Sequence, residues 1–206
     1  MAQASLDKLA KALEQVEARL SKIEGLLAGG AGASAAPAAG GASVDAWDTL
    51  VSSHIPKFVA DSKTIAEDVG QHAVLFEKAL GETRAVIVKA AGMKKPADIS
   101  TVIGGLAAAI GAVTAFEGEN RKTKHRDHLS AIANGVSALG WVAVEKTPAP
   151  FAKEQGETAF MYTNRVLSAF KGKEEVHTVW AKAFADFLKE LPVYIKTYHT
   201  TGLTFQ

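Results

Sequence analysis

The chain has 206 residues, with 23 basic and 22 acidic side chains, a formal net charge of +1 and no cysteine. So even a balance gives no electrostatic footprint for nucleic acid, an anionic membrane or acidic substrates. The missing cysteine excludes disulfides, thiolate metal sites and cysteine nucleophiles together, and it suits a reducing compartment, so the cytoplasm is the expected location.

The cleanest pattern comes first. Leu6, Leu9, Leu13, Val16, Leu20, Ile23 and Leu27 alternate spacings of three and four, which sets a heptad register with Leu6, Leu13, Leu20 and Leu27 at a and Leu9, Val16 and Ile23 at d. Arg19 then falls at g and Glu24 at e, positions that can pair between parallel chains. Leucine at every a with β-branched residues at two d positions favours assemblies larger than a dimer, a tetramer among them. An isolated helix of this length is marginal in water, so the stripe must bury itself against another copy or against the protein's own fold. Asp7, Lys8 and Lys11 sit among these leucines, and no continuous apolar run or small-residue cleavage site marks a signal peptide.

Residues 28–42 are alanine, glycine, serine and a single proline, without charge or a large side chain. That composition reads as a flexible tether with a reach of roughly 20 Å. Its glycines are not a phosphate loop, because no Lys-Ser or Lys-Thr opening a helix follows them. The expected organisation is a coiled coil over 1–27, a linker over 28–42 and a folded domain over 43–206.

From Ser43 the periodicity is helical throughout. Ser43 is placed to cap a helix carrying Val44, Trp47, Leu50 and Val51. After His54 the stripe continues through Ile55, Phe58, Val59, Ile65, Ala66 and Val69, then Phe76, Leu80, Thr83 and Ile87. The second helix is expected to reach Ala91, where Gly92 and Pro96 end it. A third helix is predicted from Pro96 to Glu119. Its uncharged run from Ile99 to Phe116 approaches the ~18 residues that cross a bilayer. It is poor in leucine, however, and lacks a basic flank or aromatic belt at its start, so no membrane span is expected. Gly104, Ala108 and Gly111 instead suggest a tightly packed helix that another backbone can approach.

After the charged loop 120–127, the stretch from His128 to Trp141 carries Leu129, Ile132, Ala133, Val136 and Leu139 at helical spacing, with Ser130, Ala131, Asn134, Ser137 and Ala138 between them. A helix with small residues on its other faces reads as the central member of a bundle. Gly140 is expected to supply a left-handed stop, with Trp141 folding back onto Val136. Pro148 and Pro150 then break the chain. A fifth helix runs from Ala152 to Phe170 and ends at Gly172. In the sixth, Val176, Val179, Trp180, Ala183, Phe184, Phe187, Leu188 and Leu191 share one side, and Pro192 is expected to kink or restart the helix rather than remove it, because Val193, Tyr194, Ile195 and Tyr198 continue the apolar run. No stretch alternates as a strand. The fold class is all-α, an antiparallel bundle of about six helices.

Signs of chemistry are few. His125 and His128 beside Asp127 provide two imidazoles without a third matched metal ligand, and Ser130 lies in no nucleophile elbow. No catalytic residue, metal or cofactor is expected, and the chain does not read as an enzyme. Asp61, Glu67, Glu77 and Glu82 recur at spacings typical of solvated helix faces. The one concentrated charge feature is Arg121-Lys122-Thr123-Lys124-His125-Arg126, either a solvated turn or part of a protein-binding face.

Asn120-Arg121, His128-Leu129-Ser130-Ala131, Ala138-Leu139-Gly140-Trp141-Val142, Tyr162-Thr163-Asn164-Arg165-Val166-Leu167 and His199-Thr200-Thr201-Gly202-Leu203 resemble, in order and spacing, segments of the amino-terminal half of the cyclase-associated proteins. The resemblance covers Ser43 to Leu203, and the preceding coil and linker stand where that family has them. It implies a six-helix bundle, oligomerised through the coil, that binds cofilin-bound actin and works with cofilin to sever filaments and speed subunits off their pointed ends in the cytoplasmic actin cytoskeleton. It also implies a folded domain without a catalytic centre. The polar residues matching the family's segments make Asn120, Arg121, Lys124, His128, Asn164 and Arg165 the candidate contacts to actin or cofilin. An alternative is a coiled-coil adaptor that binds adenylyl cyclase or other signalling partners without acting on actin. The family's Arg-Leu-Glu motif is interrupted here, since Ser21 follows Arg19-Leu20 and Ala12 precedes Leu13-Glu14, which weakens the case for cyclase binding. Full-length relatives continue into a proline-rich segment, an actin-monomer-binding motif and a β-sheet domain that promotes nucleotide exchange on actin; that exchange activity is not expected of these residues.

Overall fold

The structure, a computed structural model, describes residues 41–206. The heptad residues Leu6, Leu9, Leu13, Val16, Leu20, Ile23 and Leu27, and the tether through residue 40, lie outside the described residues.

Among the described residues six α-helices follow one another: α1 Gly41–Ile65, α2 Glu67–Ala91, α3 Ser100–Glu119, α4 Arg126–Gly135, α5 Pro148–Phe170 and α6 Glu175–Tyr198, with a 3₁₀ segment Val136–Ala143 between α4 and α5. They form an antiparallel all-α bundle, as the hydrophobic periodicity requires.

Several boundaries differ from expectation. Ser43 does not cap α1, which already includes Gly41 and Ala42. α1 runs straight through Pro56 and breaks from α2 at Ala66, whose backbone is extended at φ −171°, ψ 162°. The break lets α2 fold back closely: a Cβ on Gly70 would lie 3.0 Å from the Lys63 Cα. α3 begins at Ser100 rather than Pro96, where the Ser100 N–H donates to the Asp98 side chain at 2.9 Å. Pro148 starts α5 instead of breaking the chain, because a first-turn proline lacks only an N–H that would have no helical partner. Gly172, at φ +72°, follows the end of α5, a backbone geometry that glycine adopts without steric cost.

The core has two aromatic centres. Phe58 of α1 stacks on Phe184 at 5.0 Å and lies 5.4 Å from Trp180, while Phe76 of α2 meets Phe184 edge-on at 5.3 Å. All four rings are fully buried. Towards the far end of α6, Tyr194 meets Trp47 at 5.4 Å and Trp141 at 6.3 Å, and Trp141 lies 4.9 Å from His199.

α4 and the 3₁₀ segment occupy the centre, as expected of the stretch from His128 to Trp141. Leu129, Ala131, Ile132, Val136, Ala138, Leu139 and Trp141 are all buried. The single helix anticipated there is, however, tightened after Gly135. A Cβ at Gly135 would stand 2.6 Å from the Phe184 ring, so α6 crosses directly over this glycine. Beyond it the three-residue repeat of a 3₁₀ helix aligns Val136, Leu139 and Val142 on one side. Gly140 is therefore no left-handed stop, and positive-φ glycines occur at 172 and 202. Trp141 does not turn back on Val136 in a Schellman motif; it inserts beside Tyr194 and His199.

α3 corrects another expectation. Val102, Leu106, Ala109 and Val113 are its buried row, and its main helical neighbour is α2. Gly104, Ala108 and Gly111 are exposed, with nothing within 4 Å of a Cβ at either glycine, so no backbone approaches there. The helix is long and apolar enough to cross a membrane by length and composition. Val102, Leu106 and Val113 are nonetheless buried and Ile103, Ile110 and Phe116 half-buried against the core, leaving an exposed face made mostly of glycine, alanine and threonine.

Candidate functional site

The candidate surface gathers where α4 begins. α3 ends at Asn120, which serves as a cap: its backbone N–H and its side-chain Nδ2 both donate to the Phe116 carbonyl, the latter at 2.8 Å. This half-buried asparagine is committed to terminating the helix and aiming the loop that follows.

That loop is anchored rather than free. Asp68, in the first turn of α2, accepts hydrogen bonds from the Thr123 hydroxyl and from the Val69 N–H at 2.9 Å, and it pairs with His125 Nδ1 at 3.2 Å. Partial burial works to raise the Asp68 pKa, but the hydrogen bonds from Thr123 and Val69 and the nearby His125 outweigh it and hold the carboxylate below its usual range. Arg121, Lys122, Lys124 and Arg126 remain exposed. Arg121 approaches Glu117 only at 3.9 Å, and Lys124 has no ion-pair partner among the described residues.

His128 does not share that surface. It is 2% exposed, with Nε2 2.9 Å from His177 Nδ1, its ring 4.7 Å from Trp180 and 5.8 Å from Phe170. His177 in turn stacks on Phe170 at 3.6 Å and reaches Glu174 with Nε2 at 3.3 Å. Burial pushes His128 down to about 3, helped by repulsion from His177 and His125. A neutral, enclosed imidazole cannot contact a partner, so the expected exposure fails at this position. Leu129 and Ile132 beside it are buried as well, so this side of α4 faces the core.

The other predicted pair, on α5, is exposed. Arg165 lies 3.7 Å from Asp127 at the start of α4, 3.9 Å from the Met161 sulfur and 5.4 Å from the Tyr162 ring centroid. Asn164 is exposed beside it. The Arg165–Asp127 contact joins the α5 pair to the end of the basic loop, bringing together two segments about forty positions apart. Met161, half exposed, escaped sequence reasoning because it fits the apolar stripe of α5. So did Asp68, which lies on α2, more than fifty positions from the loop it holds. Arginine, tyrosine and methionine grouped at a surface are residue types enriched in protein interfaces. Among the described residues no group of three or more histidine, aspartate or glutamate side chains could hold a metal ion.

The family described as "CAP, N-terminal domain" matches residues 47–203. Adenylyl cyclase-associated protein 1 of Macaca fascicularis is 35% identical over 206 residues, covering 98% of this chain and 43% of that protein. Adenylyl cyclase-associated protein of Dictyostelium discoideum is 37% identical over 218 residues, covering 100% of this chain and 46% of the relative. The chain thus spans less than half the length of these relatives. A crystal structure of the N-terminal domain of CAP, described as indicating variable oligomerisation, is similar at a TM-score of 0.78 and 40% identity, over 80% of this chain and 90% of that one. The N-terminal domain of the adenylyl cyclase-associated protein from Dictyostelium discoideum matches at a TM-score of 0.77 and 39% identity, over 79% and 94%.

Proposed function

The chain belongs to the cyclase-associated proteins, as their amino-terminal domain, and from that premise we propose that it is an actin-regulatory binding module that engages cofilin-bound actin and accelerates severing and pointed-end disassembly. The observation that carries this reading is the family match itself, which runs from within α1 past the end of α6. The surface formed by Arg121, Lys124, Asn164 and Arg165 is the proposed contact to actin or cofilin. Asn120 acts behind it by fixing the loop, and His128 by filling the interior beneath it.

Self-association belongs to the same reading. The heptads of residues 6–27 would join copies, the tether would leave each bundle free to find its own site, and linked modules reach effective concentrations of about millimolar when the tether spans the sites. A related domain is described as variable in oligomerisation. Adenylyl cyclase association is in the names of the relatives; for this chain it remains the alternative reading, an adaptor without direct action on actin.

Imaging single filaments with cofilin, with and without the full chain, tests the proposal. Acceleration is expected, with the double reversal R121E/K124E losing most of it while the circular-dichroism spectrum is unchanged. No acceleration by the unaltered chain favours the adaptor. Full acceleration by the reversed variant removes the loop from the contact. Full acceleration at equal bundle concentration by a fragment starting at Gly41 refutes the multivalent mechanism.

A further inference from the structure

A second surface shares no lining residue with the basic loop. Between the first turns of α5 and the last third of α6 lies an open groove of about 730 Å³. Its floor is aliphatic, made by Ala149 and Pro150 on one side and Pro192 and Val193 on the other. Val193 is 64% exposed, the highest value among the large hydrophobic side chains of the described residues. Lys146 and Lys153 stand on one rim and Lys196 on the other, and no acidic residue lines the groove.

The balance of charge is local. Lys153 approaches Glu157 at 3.8 Å, and Glu145, the neighbour of Lys146, is held by Lys95 at 2.5 Å. Lys196 makes no ion pair among the described residues, and Lys146 interacts through space with its chain neighbour Glu145, whose oxygen is already taken by Lys95. In a chain of net charge +1, three ammonium groups around one apolar floor form a distinct positive site, and a partner's carboxylates would neutralise them.

Lys146 is also the only non-glycine residue with positive φ, at 72°, among the described residues. Its N–H donates to the Thr201 carbonyl at 3.3 Å, which pins this left-handed turn against the segment after α6. Glycine or asparagine would adopt that backbone at less cost. Strained residues held in place by their surroundings cluster at functional sites, and what lysine brings to this one is an ammonium group at the groove's edge.

We propose that the groove between α5 and α6 binds an acidic, aliphatic peptide segment of a partner protein, with its carboxylates at Lys146, Lys153 and Lys196 and its apolar side chains on Pro192 and Val193. Lysine supplies compact point charges rather than a planar fork, so the site reads the charge and spacing of carboxylates without requiring a bidentate geometry. This proposal goes beyond the actin reading and does not depend on it.

The test uses the full chain and a capped, fluorescein-labelled peptide alternating aspartate and leucine, followed by fluorescence anisotropy. Saturable binding is expected, weakened by added salt and absent with the peptide in which asparagine replaces aspartate. Lys146→Asn and Lys196→Gln should each weaken binding about threefold and together about tenfold. Val193→Ser should weaken it as well, and Lys78→Gln, on α2, should leave it unchanged. Because asparagine tolerates the left-handed turn, the Lys146→Asn protein should melt no lower than the parent, which separates lost binding from lost folding. The proposal is overturned by no saturable binding of the acidic peptide, by equal binding of the asparagine peptide, or by a double variant that binds normally. Phosphatidylserine vesicles that bind through Lys146 and Lys196 and displace the peptide would likewise overturn it in favour of a membrane contact.

Discussion

Lowering the pH from 8 to 5 should remove a large share of the domain's stability through its buried histidines. His72, His128 and His199 are each 2% exposed or less. Burial pushes His72 and His199 down to about 4 and His128 to about 3. In the unfolded chain a histidine titrates near 6.5. The folded form therefore keeps these rings neutral where the unfolded chain takes up protons, and stability falls as pH drops below 6.5 until the folded-state values are reached. At pH 5 each ring accounts for a loss of about 2 kcal/mol, or about 6 kcal/mol for the three, against the ~5–15 kcal/mol typical of a whole domain. His177, lowered mainly by burial, adds a loss of the same sign. The geometry explains why the rings resist protonation. His72 Nε2 donates to the Val113 carbonyl at 2.8 Å, while its Nδ1 is buried with no partner among the described residues for a second proton. Between His128 and His177, 2.9 Å apart, there is room for one proton. Urea denaturation followed by tryptophan fluorescence at pH 8, 6 and 5 measures the effect. Near pH 5 the slope should correspond to close to three protons, about 4 kcal/mol per pH unit, falling to about two protons in His199→Gln. A total loss below about 2 kcal/mol between pH 8 and 5 would refute the argument.

Three further outcomes follow from single contacts. Ser62→Ala should cost about 1–3 kcal/mol in denaturant titrations, because the buried Trp180 Nε1–H donates to Ser62 Oγ at 2.7 Å and would be left without an acceptor; Ser62→Ala with Trp180→Phe should cost less than the sum of the two single changes. Gly135→Ala should destabilise by about 1–3 kcal/mol through overlap with the Phe184 ring, whereas Gly111→Ala, with nothing within 4 Å of the added Cβ, should stabilise α3 by about 0.5–1 kcal/mol, both read as shifts in thermal midpoint. Asp68→Asn weakens the anchor for Thr123 and His125 and should speed amide hydrogen exchange across residues 121–127 while exchange in α6 stays slow.

The helices were legible because their apolar rows repeat at a period that nothing else in the chain mimics. Trp47, Phe58, Phe76, Trp180 and Phe187 all fall on predicted stripes, and all are buried. Boundaries were less legible because tertiary contact decides them. Whether the run after Gly135 stays α-helical depends on α6 crossing at that glycine, a neighbour more than forty positions away. The exposed face of α3 is illegible in sequence for a related reason. Glycine and alanine permit close approach without requiring it, and only the partner's presence tells a packed face from a bare one. At the candidate surface, Arg121, Lys124, Asn164 and Arg165 are exposed as expected, but the carboxylates that organise them, Asp68 and Asp127, come from separate helices, and single-helix spacing could not link them.

Those carboxylates order in advance the loop proposed as a contact. A loop of four exposed cations would lose much of its binding energy in becoming ordered at an interface. Here the ordering is done in advance. Asn120 ends α3, Asp68 holds Thr123 and His125 against α2, and Asp127 reaches Arg165 on α5. Beneath them His128, His177 and Phe170 fill the space between α4, α5 and α6. The surface therefore stands on four helices, and the side chains left exposed, Arg121, Lys122, Lys124 and Arg126, project from a backbone already fixed. Protonating the histidines beneath would loosen the floor on which that backbone rests, so binding through this face should weaken over the same acidic range in which the bundle loses stability.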